Sequence, residues 1–321
     1  MKLDGEAGLV PRPWHHLWRR DVRAGITCPI PLNWPGPWHC ARYLNNEGIE
    51  GRQRVTAQTG TGHPIRADVL SRALIRPGGL WQQIRVVEVT GSTNADLLAE
   101  AVAGAAGGRV LVAEAQTAGR GRLGRHWVSP PRGSLAFSVL LPAHDLPPAR
   151  RAWIPLLAGV AAASALRSAA AVDAWLKWPN DVLVGEAKLA GILAAQHRDA
   201  VVVGVGINVT LGRPDLPVPS ATSLLLENAA VLDRTELLGV VLRELERWYR
   251  AEAAAGDADE SGLRAEYLGR CATIGRQVRV ELPGGHVLTG IAADVDGGGR
   301  LVVRTASGLI PVSAGDVVHV R

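Results

Sequence analysis

The position of each lysine in this chain is informative because lysine is scarce. Only three of the 35 basic residues are lysines, namely Lys2, Lys177 and Lys188, and the last two lie within one twelve-residue segment, KWPNDVLVGEAK. Arginine supplies charge to a solvated surface as well as lysine does, so an arginine-rich composition should retain lysine where a compact ammonium group is required. We therefore predict that Lys177 and Lys188 take part in chemistry. The alternative is an accident of composition.

A second candidate is the segment GRGRLGRHW, which begins at Gly119 and follows a predicted strand over residues 109–115. Its glycines match the dinucleotide-binding fingerprint G-x-G-x-x-G, which must open a helix whose N-terminus holds the pyrophosphate. Pro130 and Pro131 prevent such a helix here. The sequence therefore argues against a dinucleotide-binding site.

Three arginines of the same segment, Arg120, Arg122 and Arg125, alternate with glycines. A flexible glycine backbone can surround a ligand while the guanidinium groups donate to carboxylate or phosphate oxygens. This pattern predicts an anion-binding loop. Two other interpretations of the same residues are a solvated basic turn and a patch that binds nucleic acid.

The elements that must position these residues follow from the apolar pattern. Apolar runs predict strands over residues 84–89 and 201–205, and a small-residue helix is predicted over residues 156–170. Two further helices have capping residues at their starts. Ser92 or Thr93 can cap the first, and Asp233 followed by Glu236 predicts a capping box for the second.

The two ends of the chain differ from the middle. Beyond residue 276, short β-type segments are separated by glycine-rich turns, which predicts a small barrel. The first sixty or so residues show neither helical nor strand periodicity, and we expect them to be disordered and dispensable for catalysis.

Composition excludes several classes of protein. At 321 residues with 47% hydrophobic content, the chain can form one large or two ordinary domains. Cys28, Cys40 and Cys271 show no metal or disulfide spacing, and no signal peptide or long apolar run is present. We predict a cytoplasmic protein with no membrane partner. The net charge of +5 favours anionic partners without choosing among them.

Five motifs in register resemble the biotin protein ligase family. They are GSTN at residues 91–94, GRGRLGR at 119–125, KWPND at 177–181, KLAGIL at 188–193 and GVGINV at 204–209. The resemblance implies an α/β (α+β) catalytic domain over residues 64–269, with a mixed sheet similar to class II aminoacyl-tRNA synthetases. It also implies an SH3-like β-barrel over residues 270–321, after an extension over residues 1–63. Repressor-type members carry an N-terminal winged helix-turn-helix that is not evident here, so we expect no specific DNA binding.

The resemblance implies a two-step activity. Biotin and ATP, with Mg²⁺, give biotinyl-5'-AMP and pyrophosphate, and biotin then passes to one lysine of a biotin carboxyl carrier domain of a biotin-dependent carboxylase. The competing enzymatic hypothesis is a lipoate or octanoate ligase or transferase, whose acceptor is also a lysine. A competing hypothesis of another class is a nucleic-acid-binding protein that uses the arginine-glycine run.

Roles for individual residues follow from the same resemblance. The catalytic candidates are Lys188, Asp181 and Arg122, and Asp181 is either a base for the acceptor amine or a ligand of Mg²⁺. The biotin-binding candidates are Ser92, Thr93, Asn94, Gln116, Gly119, Arg120, Gly121, Arg122, Lys188, Gly191, Gly204 and Gly206. The ATP-binding candidates are Arg122, Arg125, Trp127, Lys177, Asn180, Asp181 and Asn208.

Overall fold

The structure is a computed structural model that describes residues 62–127, 129–143 and 146–320. The segment predicted to be disordered, residues 1–63, lies outside the described residues apart from its last two. The first part of the described chain forms a seven-stranded sheet in the order β1-β2-β3-β7-β6-β5-β4. Its strands are β1 (Gln83–Thr90), β2 (Arg109–Gln116), β3 (Ser134–Pro142), β4 (Ala174–Lys177), β5 (Asp181–Val184), β6 (Ala187–His197) and β7 (Ala200–Asn208). The helices are α1 (Ala67–Leu74), α2 (Thr93–Val102), α3 (Ile154–Ala170), α4 (Arg234–Ala254) and α5 (Leu263–Gly269).

The sheet is mixed, as predicted. Strand β1 runs parallel to β2, and every other neighbouring pair in this sheet is antiparallel. Alternate residues of the central strands point to opposite faces. On one face Val201 and Val203 join the main core beneath α3 and α4, and on the other Val202 packs with Leu97 of α2. Both faces are therefore covered, which explains the continuous apolar runs in the sequence.

Helix α3 is the centre of the core because its small residues permit close packing on the sheet and on α4. Among the described residues, one helical stretch, Pro148–Ala170, is long and apolar enough to cross a membrane, and 67% of its most apolar window is buried inside the protein. Its burial is that of a core helix. Asp233 caps α4 as predicted, accepting from the amides of Thr235 at 2.8 Å and Glu236 at 3.0 Å.

The second part of the described chain is an antiparallel five-stranded sheet in the order β11-β10-β9-β8-β12. Its strands are β8 (Gln277–Glu281), β9 (Val287–Val295), β10 (Leu301–Thr305), β11 (Gly308–Val312) and β12 (Asp316–His319). The turn between β8 and β9 needs glycine because Gly284 and Gly285 have φ of 87° and 82°. The predicted fold class is confirmed, whereas the boundaries at residues 64, 270 and 321 stay predictions.

Two tryptophans join the sheets. The indole N–H of Trp153 donates to the carbonyl of Gly297 at 2.8 Å, and that of Trp178 donates to the carbonyl of Gly299 at 3.1 Å. Both side chains are buried. Each satisfies its single polar atom across the boundary while its ring fills the core, which holds the C-terminal sheet against the KWPND segment.

Candidate active site

A cavity of about 710 Å³ lies between the two sheets, beneath the loop formed by residues 119–127. We call this loop the arginine loop. Small-molecule sites have volumes of roughly 300–1,000 Å³, so the cavity has room for a cofactor-sized ligand. Every sequence-predicted site residue except Gly119 lines it, namely Ser92, Thr93, Asn94, Gln116, Arg120, Gly121, Arg122, Arg125, Trp127, Lys177, Asn180, Asp181, Lys188, Gly191, Gly204, Gly206 and Asn208.

Gly119 was predicted to bind a ligand, but it lies outside the cavity lining. It stands at the base of the arginine loop, where its carbonyl accepts from the amide of Trp127 at 2.8 Å. A Cβ at this position would lie 2.5 Å from the Trp127 carbonyl oxygen. Gly119 is therefore required for a close approach of two backbone segments and does not line the cavity.

The floor of the cavity consists of glycines from β6 and β7. A Cβ at Gly206 would overlap the indole of Trp127, and a Cβ at Gly191 would lie 3.0 Å from that ring. The Lys188 ammonium lies 5.8 Å from the centroid of the same ring. Trp127 thus rests on backbone where side chains are missing, between the arginine loop and the strands.

The arginine loop is held in place by both sheets. Arg122 donates to the side-chain oxygen of Asn180 and to the carbonyl of Gly315, at 3.0 Å each, and Arg125 pairs with Asp316. Burial lowers the pKa of Arg122 to about 10, and the carboxylates of Asp181 and Asp316 oppose that shift. Arg122 is therefore protonated at neutral pH. The loop contains only a three-residue 3-10 turn, which agrees with the argument against a dinucleotide-binding helix.

Lys188 and Asp181, which the sequence treats as separate candidates, form an ion pair. The Lys188 Nζ lies 2.6 Å from the Asp181 Oδ1, and the two side chains are 30% and 20% exposed. Lys188 is near the start of β6 and Asp181 begins β5, its antiparallel neighbour. The pair faces the cavity, so an incoming anion meets an ammonium group that already has a carboxylate partner.

The polar end of the cavity lies at the start of α2. The Ser92 Oγ accepts from the amide of Ala95 at 3.5 Å, so Ser92 caps the helix. Thr93 donates to the Gln116 Oε1 from its amide at 2.9 Å and from its hydroxyl at 3.1 Å. Asn94 donates to the carbonyl of Leu193 at 3.0 Å.

Asn208 lies at the end of β7 on another side of the cavity. It is 1% exposed, and its side-chain amide donates to the carbonyl of Thr222 at 2.9 Å. Its Oδ1 is buried and has no hydrogen-bond partner within the described part of the chain. A buried acceptor without a donor is costly, so this atom is suited to a ligand that supplies one.

Lys177 faces residues that sequence reasoning missed. Asp316, Val318 and His319, all from β12, line the cavity. Burial, followed by the charges of Lys177 and Arg276, lowers the pKa of His319 to about 4, while Glu186 opposes the shift. The sequence predicts short strands in this region, but it does not indicate that β12 belongs to the site, because β12 meets the arginine loop only after the two sheets have docked.

Ser138 of β3 and the segment Pro217–Ala221 were also missed, and both contribute to the lining. Ser138 lies inside an apolar run that predicts only a strand. Residues 217–221 are brought in by backbone pairing, in which the Lys188 amide donates to the carbonyl of Ser220 at 2.9 Å. Neither Ser138 nor residues 217–221 can be assigned to the site from the sequence, because their positions depend on the order of the strands in the sheet.

Comparison with known proteins relates both parts of the described chain to known protein families. Residues 86–211 match the Biotin/lipoate A/B protein ligase family, and residues 273–320 match the Biotin protein ligase C terminal domain. The chain is 46% identical to the biotin–[acetyl-CoA-carboxylase] ligase of Mycobacterium tuberculosis over 80% of its own length and 97% of that protein. It is 32% identical to the bifunctional ligase/repressor BirA of Escherichia coli, with 73% of each chain covered.

A solved structure supports the same assignment. The biotin protein ligase from Aquifex aeolicus in complex with biotin and ATP superposes with a TM-score of 0.64 at 28% identity, covering 75% of this chain and 100% of that one. The chain therefore belongs to the biotin protein ligase family, and the resemblance inferred from the five motifs is confirmed.

Proposed function

We propose that this protein is an ATP-dependent ligase that forms biotinyl-5'-AMP and transfers biotin to a lysine of a biotin carboxyl carrier domain. The observation that carries the proposal is the convergence of Lys188, Arg122 and Arg125 on one glycine-floored cavity. The related ligase from Mycobacterium tuberculosis and the Aquifex protein, which binds biotin and ATP, support it. Because the relatives are biotin ligases, the lipoate and octanoate alternative is not favoured.

The first step must bring two anions together. A carboxylate oxygen of biotin attacks the α-phosphorus of ATP, and pyrophosphate leaves with the electrons of the broken P–O bond. Like charges at such distances repel each other unless cations offset them. Arg122 is half-buried and charged, so water weakens its field less than that of a fully exposed guanidinium group. Arg120 and Arg125 line the same cavity and extend that field.

Lys188 is our candidate for the contact with the carboxylate and the α-phosphate oxygens. Its ammonium group is a compact charge on a flexible stem and can follow the negative charge as it moves from one oxygen to another. Asp181 holds it at 2.6 Å before the ligand arrives. The carboxylate thus positions the ammonium group of Lys188.

Asp181 is also our candidate for the second step. The acceptor lysine amine has an ordinary pKa near 10.4, so only roughly 0.04% of it is neutral at pH 7. Transfer requires loss of a proton from that amine, attack of its nitrogen on the acyl carbon, and departure of AMP. A carboxylate at the cavity edge can orient the amine and accept the proton.

The residues present also suit Mg²⁺ brought in with ATP. No three His, Cys, Asp or Glu side chains within the described ranges form a metal-ligand group. Mg²⁺ on a nucleotide needs only one or two carboxylates because phosphates and waters supply its other ligands. If Asp181 is not the base of the transfer step, it would instead provide one oxygen ligand of this ion, which would reduce the charge of the phosphates.

The experiment that tests the function uses the purified chain, ATP, Mg²⁺ and a biotin carboxyl carrier domain. We expect mass spectrometry to show one biotin added to one lysine of the carrier, and no addition when that lysine is replaced by arginine. Lipoate and octanoate replace biotin in parallel reactions. Acylation by lipoate or octanoate in preference to biotin would contradict the proposal. We further propose that the reaction takes place in the cytoplasm, because the three cysteines of this chain show no disulfide or metal spacing.

A further inference from the structure

Two of the three lysines of this chain line one cavity. Lys177 and Lys188 both contribute to the lining, whereas Lys2 lies outside the described residues. Every lysine between residues 62 and 320 therefore faces the cavity. An activated acyl group formed there meets these two amines before it can reach any other lysine of the chain.

The two lysines differ in their partners. Lys188 is held by Asp181 at 2.6 Å. The Lys177 side chain has no hydrogen bond or ion pair with any residue in the part of the chain that the structure describes. After burial, its charge is the largest cause of the lowered pKa of His319, so these two side chains lie close together. Lys177 is therefore the amine of the cavity that no carboxylate holds.

The sheet places Lys177 beside the groups proposed to react. Strands β4, β5 and β6 are neighbours, and Lys177 of β4 is paired directly with Asp181 of β5. Residues directly opposite each other project to the same face, with their Cβ atoms roughly 4.5–5.5 Å apart. Asp181 in turn contacts Lys188 of β6. Lys177 is thus one strand away from the ion pair at which we place the adenylate.

We propose that Lys177 is a self-modification site, to which the chain transfers biotin when no carrier domain takes it. The inference rests on the proposed function, because the acyl donor is biotinyl-5'-AMP. The Lys177 nitrogen, after losing one proton to solvent, attacks the acyl carbon. A C–N bond forms, the C–O bond to the phosphate breaks, and AMP leaves with the electrons of that bond. The nitrogen loses a second proton as it becomes an amide.

The modification should inactivate the site. It replaces a cation with a neutral amide and fills the space beside Lys177 with the biotin chain, so ATP should bind less well. A carrier domain consumes the adenylate and thereby protects Lys177. Self-modification would then reduce adenylate formation when acceptor is scarce.

Peptide mass spectrometry tests the site directly. The full chain is incubated with biotin, ATP and Mg²⁺ but no carrier, and the biotin on each lysine is quantified. Lys177 should be labelled at least about tenfold more often than Lys2, because an amine held in the same cavity has a high effective concentration. An excess of Nα-acetyl-lysine should suppress labelling of Lys2 and change that of Lys177 by less than about twofold. An excess of carrier domain should suppress both.

Two variants provide the controls. Lys2→Arg removes the competing lysine outside the cavity and should leave the labelling of Lys177 unchanged. Lys177→Arg should abolish labelling at that position, with label expressed per pyrophosphate released so that slower adenylation is taken into account. During incubation without carrier, pyrophosphate release by the wild type should decline as the labelled fraction grows. Release by Lys177→Arg should show no such decline.

The outcomes separate this inference from the ligase proposal. Equal labelling of Lys2 and Lys177, or equal suppression of both by Nα-acetyl-lysine, would mean that released adenylate reacts in solution, and the role of Lys177 is wrong. It is also wrong if the chain labels a carrier domain but never Lys177, in which case the ligase proposal stands. If biotin causes no pyrophosphate release, both proposals are wrong. The wild-type label map decides among these cases even if Lys177→Arg is poorly folded.

Discussion

At the scale of single residues, the ion pair of Lys188 and Asp181 links the two proposed steps. At 2.6 Å and partly exposed, it is close enough to position the ammonium group and open enough to be rearranged by a ligand. A surface ion pair of this kind adds little stability, typically 0–1 kcal/mol. Its effect should therefore appear in activity rather than in the free energy of unfolding.

Removing the ammonium group tests that expectation. Lys188→Ala should slow biotin-dependent pyrophosphate release by about a hundredfold or more, the scale of losing one preorganised charge contact. Lys188→Arg should not restore the rate, because a planar fork cannot replace a compact charge. Arg72→Ala is a matched control, since Arg72 forms a 2.6 Å ion pair with Asp68 and both side chains are exposed on α1. Wild-type release by Lys188→Arg would show that the retained lysine reflects composition alone.

Replacing the carboxylate separates two roles of Asp181. Asp181→Asn keeps an oxygen that can accept from Lys188 but loses the base. We expect transfer to fall more than adenylate formation, so enzyme-bound biotinyl-adenylate should accumulate when carrier is added. Rapid-quench measurement of bound adenylate and biotinylated carrier distinguishes the steps. Equal loss of both would instead indicate that Asp181 holds Mg²⁺.

At the scale of elements, β6 and β7 serve the site chiefly through the side chains they lack. Gly191 and Gly206 are paired directly across the two strands, and Trp127 covers both. The strands thereby let the arginine loop approach their backbone. The loop and its floor form one unit, although more than sixty residues separate them in the sequence.

Alanine substitutions along this floor should have graded effects. A Cβ at Gly206 overlaps the Trp127 indole, whereas a Cβ at Gly204 meets Asn94 and Ser138 at 3.1 and 3.2 Å. Overpacking of this kind costs roughly 1–3 kcal/mol, so Gly206→Ala should reduce adenylate formation by at least about tenfold and Gly204→Ala by less. Gly91→Ala is the control, with no atom within 4 Å of the added Cβ, and should be silent. The rate of pyrophosphate release is measured for all three variants. A larger loss in Gly204→Ala than in Gly206→Ala would contradict the packing described for these two glycines.

At the scale of the whole molecule, the cavity is complete only when the C-terminal sheet is docked. His319 bonds to the Thr273 hydroxyl at 3.1 Å, and that hydroxyl also accepts from the Trp178 amide at 3.1 Å. Trp178 lies next to Lys177, so the contact connects β12 with the segment that carries the candidate catalytic residues. A change in the stability of the contact between the two sheets should therefore change the geometry of the site.

Acid should weaken this interface through His319. Its folded pKa is about 4 and its ordinary value is 6.5, so between these pH values the unfolded chain binds the proton more readily. The free energy of unfolding should fall as pH drops through that window, by at most about 3 kcal/mol from this group. His319→Gln should reduce this pH dependence, and the exposed His286→Gln should not. Urea unfolding at pH 7, 5.5 and 4.5 provides the comparison, and parallel curves for wild type and His319→Gln would refute the assignment.

A buried ion pair connects β2, α4 and the start of the described chain. Arg234 and Glu114 are 1% and 3% exposed at 2.6 Å, and Arg234 also donates to the carbonyls of His63 and Ser134. Arg234→Met should cost about 3–5 kcal/mol of unfolding free energy because it leaves the Glu114 charge buried and uncompensated. Adding Glu114→Gln should recover part of that loss. Chemical denaturation measures both, and a loss below about 1 kcal/mol in the single variant would show that Glu114 gains water instead.

The sequence by itself determined the local elements and the family. Apolar runs and a run of small residues are local features of the sequence, so they predicted β1, β2, β7 and α3 to within a few residues. The helix caps at Ser92 and Asp233 depend on hydrogen bonds to backbone amides two or three residues away, so they could also be predicted from the sequence. The five motifs identified the family because several short patterns in register rarely coincide by chance.

Only the tertiary structure decided which of these residues act together. Ser138 becomes a partner of Thr93 because α2 packs against β3, which places residues 45 positions apart in contact. Arg122 bonds to Gly315, just before β12, across 193 residues, and Arg125 bonds to Asp316, the first residue of β12, across 191 residues. Such contacts depend on strand order and on docking of the two sheets, which no local pattern specifies. The ion pair of Lys188 and Asp181 is more local, since the two residues lie seven positions apart on the two strands of one hairpin; only the docked sheets place that pair inside the cavity.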